Sequence, residues 1–296
     1  KVLRQMRRIN WDDPDLSRYA VKCLTAAWNV RYNSIHCLAN LVSGLALYHD
    51  EIGIFVVDSV IEDIRLGLEV NLPKFNQRRV SMIKYLGELY NYRMVESSII
   101  FKTLYTLVTY GVSFDPTINT EILDPSDNFF RVRLVCIMLD TCGQYFDRGN
   151  TIKKLDCFLV YFQRYYLFKR ETAVGDDEAK PSDPVDVEFT FSETISSLRP
   201  NFKFLKTYTE AVQAVVKMEQ EIRDSLNKTA PGLLSEVRRS VETDEDGLHA
   251  IKEDEEDDEG QFRNKISGDD EEEFEGEDED GEDEREGSRK GGAKGV

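Results

Sequence analysis

Apolar residues recur every three or four positions along most of the first 230 residues, which is the spacing of one face of an α-helix. The first run begins near Asp12 or Asp13, where Pro14 suits the first turn, and its apolar face holds Leu16, Tyr19, Ala20, Cys23, Leu24, Ala27 and Trp28. Further runs predict helices from an Asn33 cap to about Tyr48, from Asp50 to Val70, from Pro73 onward, and over residues 95–110, 127–145, 151–170, 192–198 and 208–226. Alternating β-branched runs, which would indicate strands, are absent from the sequence.

The predicted helices are separated mostly by short turns, so each is expected to fold back antiparallel on the one before it. Pairs of helices recur at roughly forty residues, which is the scale of helical solenoid repeats, although no repeat of letters is present. Each pair needs its neighbour to cover its apolar face. The sequence therefore predicts an all-α fold of stacked antiparallel helical hairpins, that is, a HEAT-like solenoid.

The chain changes character from about Thr243, where carboxylates replace apolar residues. Residues 242–286 hold 25 acidic and 4 basic side chains, whereas residues 1–241 hold 31 of each sign. The formal net charge of -18 therefore belongs to the tail, which lacks the apolar content needed to offset the entropy of ordering. We expect a helical scaffold domain over residues 1–230 and an acidic, disordered tail over residues 231–296. A solvating spacer is favoured for the tail over a dedicated binding element.

The sequence lacks catalytic and metal-binding patterns. The histidines at positions 36, 49 and 249 lie far apart, and no P-loop, G-x-S-x-G, dinucleotide or H-E-x-x-H motif occurs. The longest uncharged apolar run, Tyr32 to His49, is too short and too polar to span a bilayer. No two cysteines have C-x-x-C spacing, so buried, reduced thiols are expected at Cys23, Cys37, Cys136, Cys142 and Cys157. We therefore expect a protein that is not an enzyme, with no cofactor, no bound metal, and no membrane or DNA partner.

The predicted helix over residues 51–70 carries a narrow line of carboxylates. At roughly 100° per residue, Asp58, Glu62 and Glu69 fall within about 40° of one another, with Arg65 in the same stripe. The neighbouring arc is apolar and holds Ile54, Val57, Ile61, Ile64 and Leu68. Like charges four residues apart destabilise a helix slightly, so a helix that keeps them is a candidate docking face for a basic partner. An ordinary solvated face fits this spacing at least as well.

Basic residues form separate groups along the chain. Lys74, Arg78 and Arg79 open the fourth predicted helix, and Lys153 with Lys154 opens a later one. Such cations neutralise phosphates in contacts with nucleic acid. The alternative function is therefore a direct RNA-binding helical module that uses these five residues. Further basic pairs, some beside aromatic residues, are Arg131 with Arg133 and Lys169 with Arg170.

Several long strings of the sequence are specific enough to indicate a family. They are RYAVKCLTAAWNVRYNSIHCLANLVSGL, EDIRLGLEVNLPKFNQRRVSMIKYLGELYNYRMVES, RLVCIMLDTCGQYFDRG and KKLDCFLVYFQRY. On these strings, the first two hundred or so residues resemble the third middle-type domain of the second up-frameshift proteins, the adaptors of nonsense-mediated mRNA decay. Middle-type domains take their name from the central domain of the initiation factor four-gamma scaffold. The resemblance implies a right-handed stack of helical hairpins.

The same resemblance implies a partner and a binding site. In that family the domain is bound by the RNA-recognition-motif domain of the third up-frameshift protein, whose basic residues meet carboxylates. The matched motif D-x-V-x-E-D-I-R-L-G-x-E-V assigns this role to Asp58, Glu62 and Glu69, which helical spacing also places on one line. The resemblance further implies a bridge from exon-junction marks to the decay machinery, contacts with other decay factors, and RNA bound alone or jointly with the partner. It also implies a cytoplasmic, perinuclear location.

Overall fold

α-Helices make up nearly all of the regular structure of the described residues. The structure is a computed structural model that describes residues 1–114, 123–173 and 185–229, and no strand occurs within these ranges. Four short 3₁₀ turns lie between helices, at Ala27–Asn29, Tyr32–Ser34, Pro73–Phe75 and Gly143–Tyr145. The helices are α1 (Val2–Met6), α2 (Pro14–Thr25), α3 (Ile35–Ala46), α4 (Asp50–Val70), α5 (Asn76–Asn91), α6 (Ser97–Thr109), α7 (Phe130–Cys142), α8 (Gly149–Ala173), α9 (Val185–Leu198) and α10 (Tyr208–Thr229). The predicted all-α class is confirmed.

The helices are arranged in two layers, in which a helix packs mainly on its neighbours along the chain and on helices two places away. One layer stacks α1, α3, α5, α7 and α9, and the other pairs α2 with α4, α6 with α8, and α8 with α10. Contacts between α3 and α4, between α4 and α5, and between α6 and α7 join the layers. α10 runs antiparallel to α8, because Tyr161 contacts Glu219 while Arg170 contacts Lys206. The predicted stack of helical hairpins is confirmed.

A continuous apolar core fills the space between the layers. Its side chains come from both layers, and many of them are completely removed from solvent. Burial of this apolar surface is the main term that stabilises the fold. Fully buried examples are Leu45, Val60, Leu86, Leu104, Leu139 and Phe158.

Two helix ends follow directly from local sequence. The carboxylate of Asp13 caps α2 by accepting hydrogen bonds from the backbone N–H groups of Asp15 at 3.0 Å and Leu16 at 3.3 Å. α4 ends where Asn71 adopts the left-handed conformation, with φ of 40°. Asparagine tolerates this conformation better than most residues and is a common residue just after a helix.

Other boundaries differ from the prediction. Residues 32–34 form a 3₁₀ turn, and Ser34 rather than Asn33 takes the cap position of α3, without a side-chain bond. α9 begins at Val185 rather than at residue 192, because Asp186 and Glu188 in its first turn favour a helix start. α1 was not predicted, because its five residues are too few to show a helical period. Residues 231–296 lie outside the described ranges, so the division at residue 230 stays a prediction; the described residues all fall in one compact unit.

A buried charge cluster attaches residues 123–125 to α7 and α8. The carboxylate of Asp124 lies 3.2 Å from Nζ of Lys169 and 3.6 Å from Nε of Arg131, and it accepts a hydrogen bond from the Tyr165 hydroxyl at 3.0 Å. The charged side chains are at most 4% exposed. Burial lowers the pKa of Lys169, and Asp124 opposes that shift. Arg131 and Lys169 are therefore buried structural cations, although each stands in a basic pair of the sequence.

Candidate functional site

The three predicted carboxylates lie on the solvent-exposed side of α4. Asp58, Glu62 and Glu69, called the acidic line below, are all exposed, and none forms an ion pair with another described residue. At about 1.5 Å of rise per residue, the line is about 16 Å long. The opposite side of the helix is held in the core through Ile52, Val56, Val57, Val60, Ile64 and Leu68. The acidic line is thus a set of exposed charges on a firmly packed helix.

One further carboxylate, absent from the predicted set, extends this line. Glu51 is exposed and precedes Asp58 by seven residues, which places it two turns earlier on the same side of α4. The seven-residue spacing was the signal that could have identified it. Arg65 is also exposed on this side and pairs with no described carboxylate, so it is a positive charge within the acidic line.

The remaining carboxylate of this part of α4 has a structural partner. Asp63 accepts a hydrogen bond from Nε of Arg78 at 3.1 Å, and a second guanidinium nitrogen contacts the other carboxylate oxygen. The same guanidinium lies over the ring of Trp28, with Cζ 3.8 Å from the ring centre. Arg78 was predicted as an RNA contact, but its side chain is only 39% exposed and its charge is already paired.

Arg79 is buried, which contradicts its prediction as an RNA contact. It is 6% exposed, and its Nη1 donates to the side-chain oxygens of Asn71 at 3.1 Å and Asn76 at 3.4 Å. Its side chain fits because α4 has a glycine opposite: a Cβ at Gly67 would lie only 3.1 Å from Cγ of Arg79. Burial and the nearby Arg131 lower the pKa of Arg79 to about 10. Its guanidinium cannot meet a phosphate from this position.

The other predicted RNA contacts remain exposed, but they lie on separate elements. Lys74 is in the 3₁₀ turn before α5, with Nζ 4.9 Å from the ring centre of Phe75. Lys153 and Lys154 are in the first turns of α8. α5 packs on α3, α4 and α7, whereas α8 packs on α6 and α10. The RNA-binding set is thus reduced to three lysines in two groups.

Apolar side chains border the acidic line. Ile54 is 59%, Phe55 58% and Leu66 49% exposed. Ile54 lies in the apolar arc of the helix but does not join the core, because the core contacts of α4 lie on the side of Val56 and Val60. Exposed apolar surface that is bordered by charged residues is typical of surfaces that bind other proteins.

The chemistry of the described residues is otherwise sparse. Within the described ranges no three histidine, cysteine or acidic side chains are grouped closely enough to bind a metal ion. No helix in those ranges combines the length and apolarity that a membrane span requires. The predicted burial of the cysteines holds for Cys136 and Cys142, Cys157 is half-buried, and the prediction is wrong for Cys23 and Cys37, which are exposed.

Fold and site together define an all-α scaffold domain of stacked hairpins with an exposed acidic face. Residues 1–201 match the MIF4G domain. The chain therefore belongs to the MIF4G domain family.

Similar proteins identify a narrower group within the MIF4G domain family. "Regulator of nonsense transcripts 2" of Homo sapiens is 53% identical over 221 residues, 75% of this chain, and "Regulator of nonsense transcripts UPF2" of Arabidopsis thaliana is 42% identical over 219 residues, 74% of this chain. "Nonsense-mediated mRNA decay protein 2" of Saccharomyces cerevisiae is 27% identical over 231 residues, 76% of this chain. The resemblance to the second up-frameshift proteins is thus confirmed. The chain spans only 17% to 20% of the length of these relatives.

Proposed function

We propose that this MIF4G domain is a non-enzymatic adaptor of nonsense-mediated mRNA decay that binds a protein partner through the acidic line of α4. The names of the similar proteins, which concern nonsense transcripts and their decay, support the pathway. The observation that carries the proposal is the exposed acidic line itself, since Asp58, Glu62 and Glu69 have no ion-pair partner among the described residues.

The partner that this surface suits is basic and folded. By family resemblance it is the RNA-recognition-motif domain of the third up-frameshift protein, which would connect exon-junction marks to the decay machinery in the perinuclear cytoplasm. Three carboxylates on a packed helix can accept charge-assisted hydrogen bonds from arginine or lysine without any reordering of the backbone that carries them. Their combined field also speeds the encounter with a positively charged surface.

The test is a charge reversal at the end of the acidic line. Glu69→Arg should weaken binding of the recognition-motif domain by at least thirtyfold, because the loss of one partner in a close interfacial charge pair costs about 2 to 5 kcal/mol. The matched control is Glu221→Arg, which makes the same change in net charge on α10. Glu221 is 69% exposed and approaches Lys217 only at 3.9 Å, so its replacement should leave affinity unchanged.

Isothermal titration calorimetry with the full chain measures both affinities, and circular dichroism checks that each variant is folded. Equal affinity of the native chain and Glu69→Arg would remove the acidic line from the interface. Equal losses in Glu69→Arg and Glu221→Arg would show that only net charge matters.

A second candidate function is direct RNA binding through the exposed lysines Lys74, Lys153 and Lys154. Three phosphate contacts predict a slope of about -2 for the logarithm of affinity against the logarithm of salt concentration on single-stranded RNA. Joint replacement of Lys153 and Lys154 by glutamate should weaken binding, whereas Lys22→Glu with Lys228→Glu, at exposed positions elsewhere, should weaken it much less. Gel-shift titrations of the isolated chain that show no salt-sensitive binding would exclude the direct form of this function.

A further inference from the structure

A small apolar pocket lies beside the acidic line, between the end of α4 and the start of α5. Its volume is about 80 Å³, and its apolar lining is Leu66, Val70 and Phe75, with Gly67, Arg79 and the ion pair of Asp63 and Arg78 completing the wall. The three large side chains are 49%, 41% and 40% exposed, so solvent covers apolar surface that the fold does not use. We call it the α4 pocket.

The α4 pocket and the acidic line share the same helical turns. Leu66 lies four residues after Glu62 and three residues before Glu69. Residues at these spacings are direct neighbours on a helix, with Cβ atoms about 5 to 6 Å apart. A partner whose cations reach Glu62 and Glu69 therefore covers the α4 pocket as well.

A buried donor in the lining of the α4 pocket is also unsatisfied. Arg79 is 6% exposed, yet its Nη2 has no hydrogen-bond partner in the part of the chain that the structure describes. Buried polar atoms of proteins nearly always have a partner, from the protein itself, from water or from a ligand. The guanidinium lies over the ring of Phe130, with Cζ 4.6 Å from the ring centre, so this nitrogen belongs to the interior of the fold behind the α4 pocket.

The size of the α4 pocket limits what can enter it. An enclosed cavity of about 150 Å³ binds a benzene ring, and the α4 pocket has about half that volume. A branched aliphatic side chain fits better than an aromatic one. The carboxylates of Glu62 and Glu69 beside the pocket favour an occupant that is surrounded by positive charge.

We propose that the α4 pocket is the apolar anchor site of the docking surface, and that it takes one branched aliphatic side chain of the partner. That side chain is flanked by arginine or lysine residues that reach the carboxylates of Glu62 and Glu69. The inference rests on the proposed function of the acidic line. It adds selectivity, because charge alone attracts any basic surface, whereas a filled and desolvated pocket holds only a partner with a matching anchor.

The test separates the anchor from the charges by kinetics. Binding of the recognition-motif domain of the third up-frameshift protein to the full chain is followed by biolayer interferometry over a series of salt concentrations. Leu66→Asn should raise the dissociation rate at least tenfold, while the association rate and its salt dependence stay within twofold of native. Glu69→Arg should instead lower the association rate and flatten its salt dependence. The matched control is Leu47→Asn, at a leucine that is 81% exposed outside α4 and that should change neither rate.

The two variants together distinguish the α4 pocket from the acidic line. A native dissociation rate for Leu66→Asn, with Glu69→Arg defective, would overturn the α4 pocket proposal and leave the acidic line in place. Native behaviour of both variants would overturn the docking surface itself. If Leu66→Asn lowers the thermal midpoint, Val70→Thr, which keeps the shape of the side chain, decides in its place: faster dissociation supports the anchor, and a native rate overturns it.

Discussion

Asp124 should be one of the most important single residues for the stability of this domain. It is the only carboxylate within ion-pair distance of two buried cations among the described residues, Lys169 and Arg131. Asp124→Asn keeps the shape of the side chain and one acceptor oxygen for the Tyr165 hydroxyl, but it removes the negative charge. Two positive charges would then be buried without a counter-charge.

The size of the effect follows from the distances. At an effective dielectric constant of about 20, charges at 3.2 Å and 3.6 Å attract by about 5 and about 4.6 kcal/mol. Repulsion between the two cations and loss of the proton from Lys169 reduce the net cost. We therefore expect Asp124→Asn to lower the free energy of unfolding by about 3 to 5 kcal/mol at pH 7, the range found when one partner of a buried pair is removed.

The loss of stability caused by Asp124→Asn should become smaller at higher pH. Burial already holds the pKa of Lys169 below its ordinary value of 10.5, and loss of Asp124 lowers it further, whereas the unfolded chain keeps the ordinary value. The folded variant then binds fewer protons than the unfolded chain between these two pKa values, so its stability rises with pH across that interval. Lys169→Met added to Asp124→Asn should recover part of the loss, because it removes one of the unpaired cations.

Urea unfolding followed by circular dichroism measures these differences in the free energy of unfolding, provided that native chain and variants have the same slope of free energy against urea concentration. The control is Asp15→Asn, which removes the charge from an exposed pair with Arg18 at 3.3 Å and should cost at most about 0.5 kcal/mol. A loss of less than about 1 kcal/mol for Asp124→Asn, or a deficit that does not change with pH, would refute the assignment of Asp124 as the counter-charge.

Two further predictions concern the surface. Arg65→Gln should raise the association rate with a basic partner about twofold at low salt, because it removes a cation from the acidic line; a stopped-flow rate that is unchanged or lower would contradict this. Ellman's reagent should modify Cys23 and Cys37 in the folded protein but not Cys142, whose pKa is raised to about 12 by burial and which should react only after denaturation. Mass spectrometry of the labelled peptides would identify the modified cysteines, and native labelling of Cys142 would contradict its burial.

The sequence was sufficient to find α4 and the acidic line, because exposed charges and buried apolar residues both follow the helical period. It was not sufficient to orient the apolar arc. Ile54 looks like a core residue on a helical wheel, yet α2, α3 and α5 pack elsewhere on α4 and bury Val56 and Val60 instead. Which part of an apolar arc meets a neighbour is decided by tertiary packing, which spacing alone does not contain.

The buried arginines also could not be identified from the sequence, because their burial depends on tertiary packing. Arg79 and Arg131 lie in basic groups of the sequence and resemble surface residues there. Arg79 is buried because Gly67 of the preceding helix leaves room for its stem. Arg131 is buried because the carbonyl groups of Leu107 and Leu123 and the carboxylate of Asp124 surround its guanidinium. These neighbours belong to other parts of the chain than the arginines themselves. Whether an arginine is exposed is therefore decided by residues outside its own stretch of sequence.

Asn71 ends α4 two residues after Glu69, and its side chain joins elements that are distant in sequence. Its amide nitrogen donates to the carbonyl of Leu123 at 3.0 Å, and its oxygen accepts from Arg79. Arg131, in the first turn of α7, binds the same carbonyl at 2.8 Å. A protein held at Glu69 would therefore reduce local opening at the start of α7, and slower hydrogen–deuterium exchange there would report occupancy of a surface some sixty residues earlier in the chain.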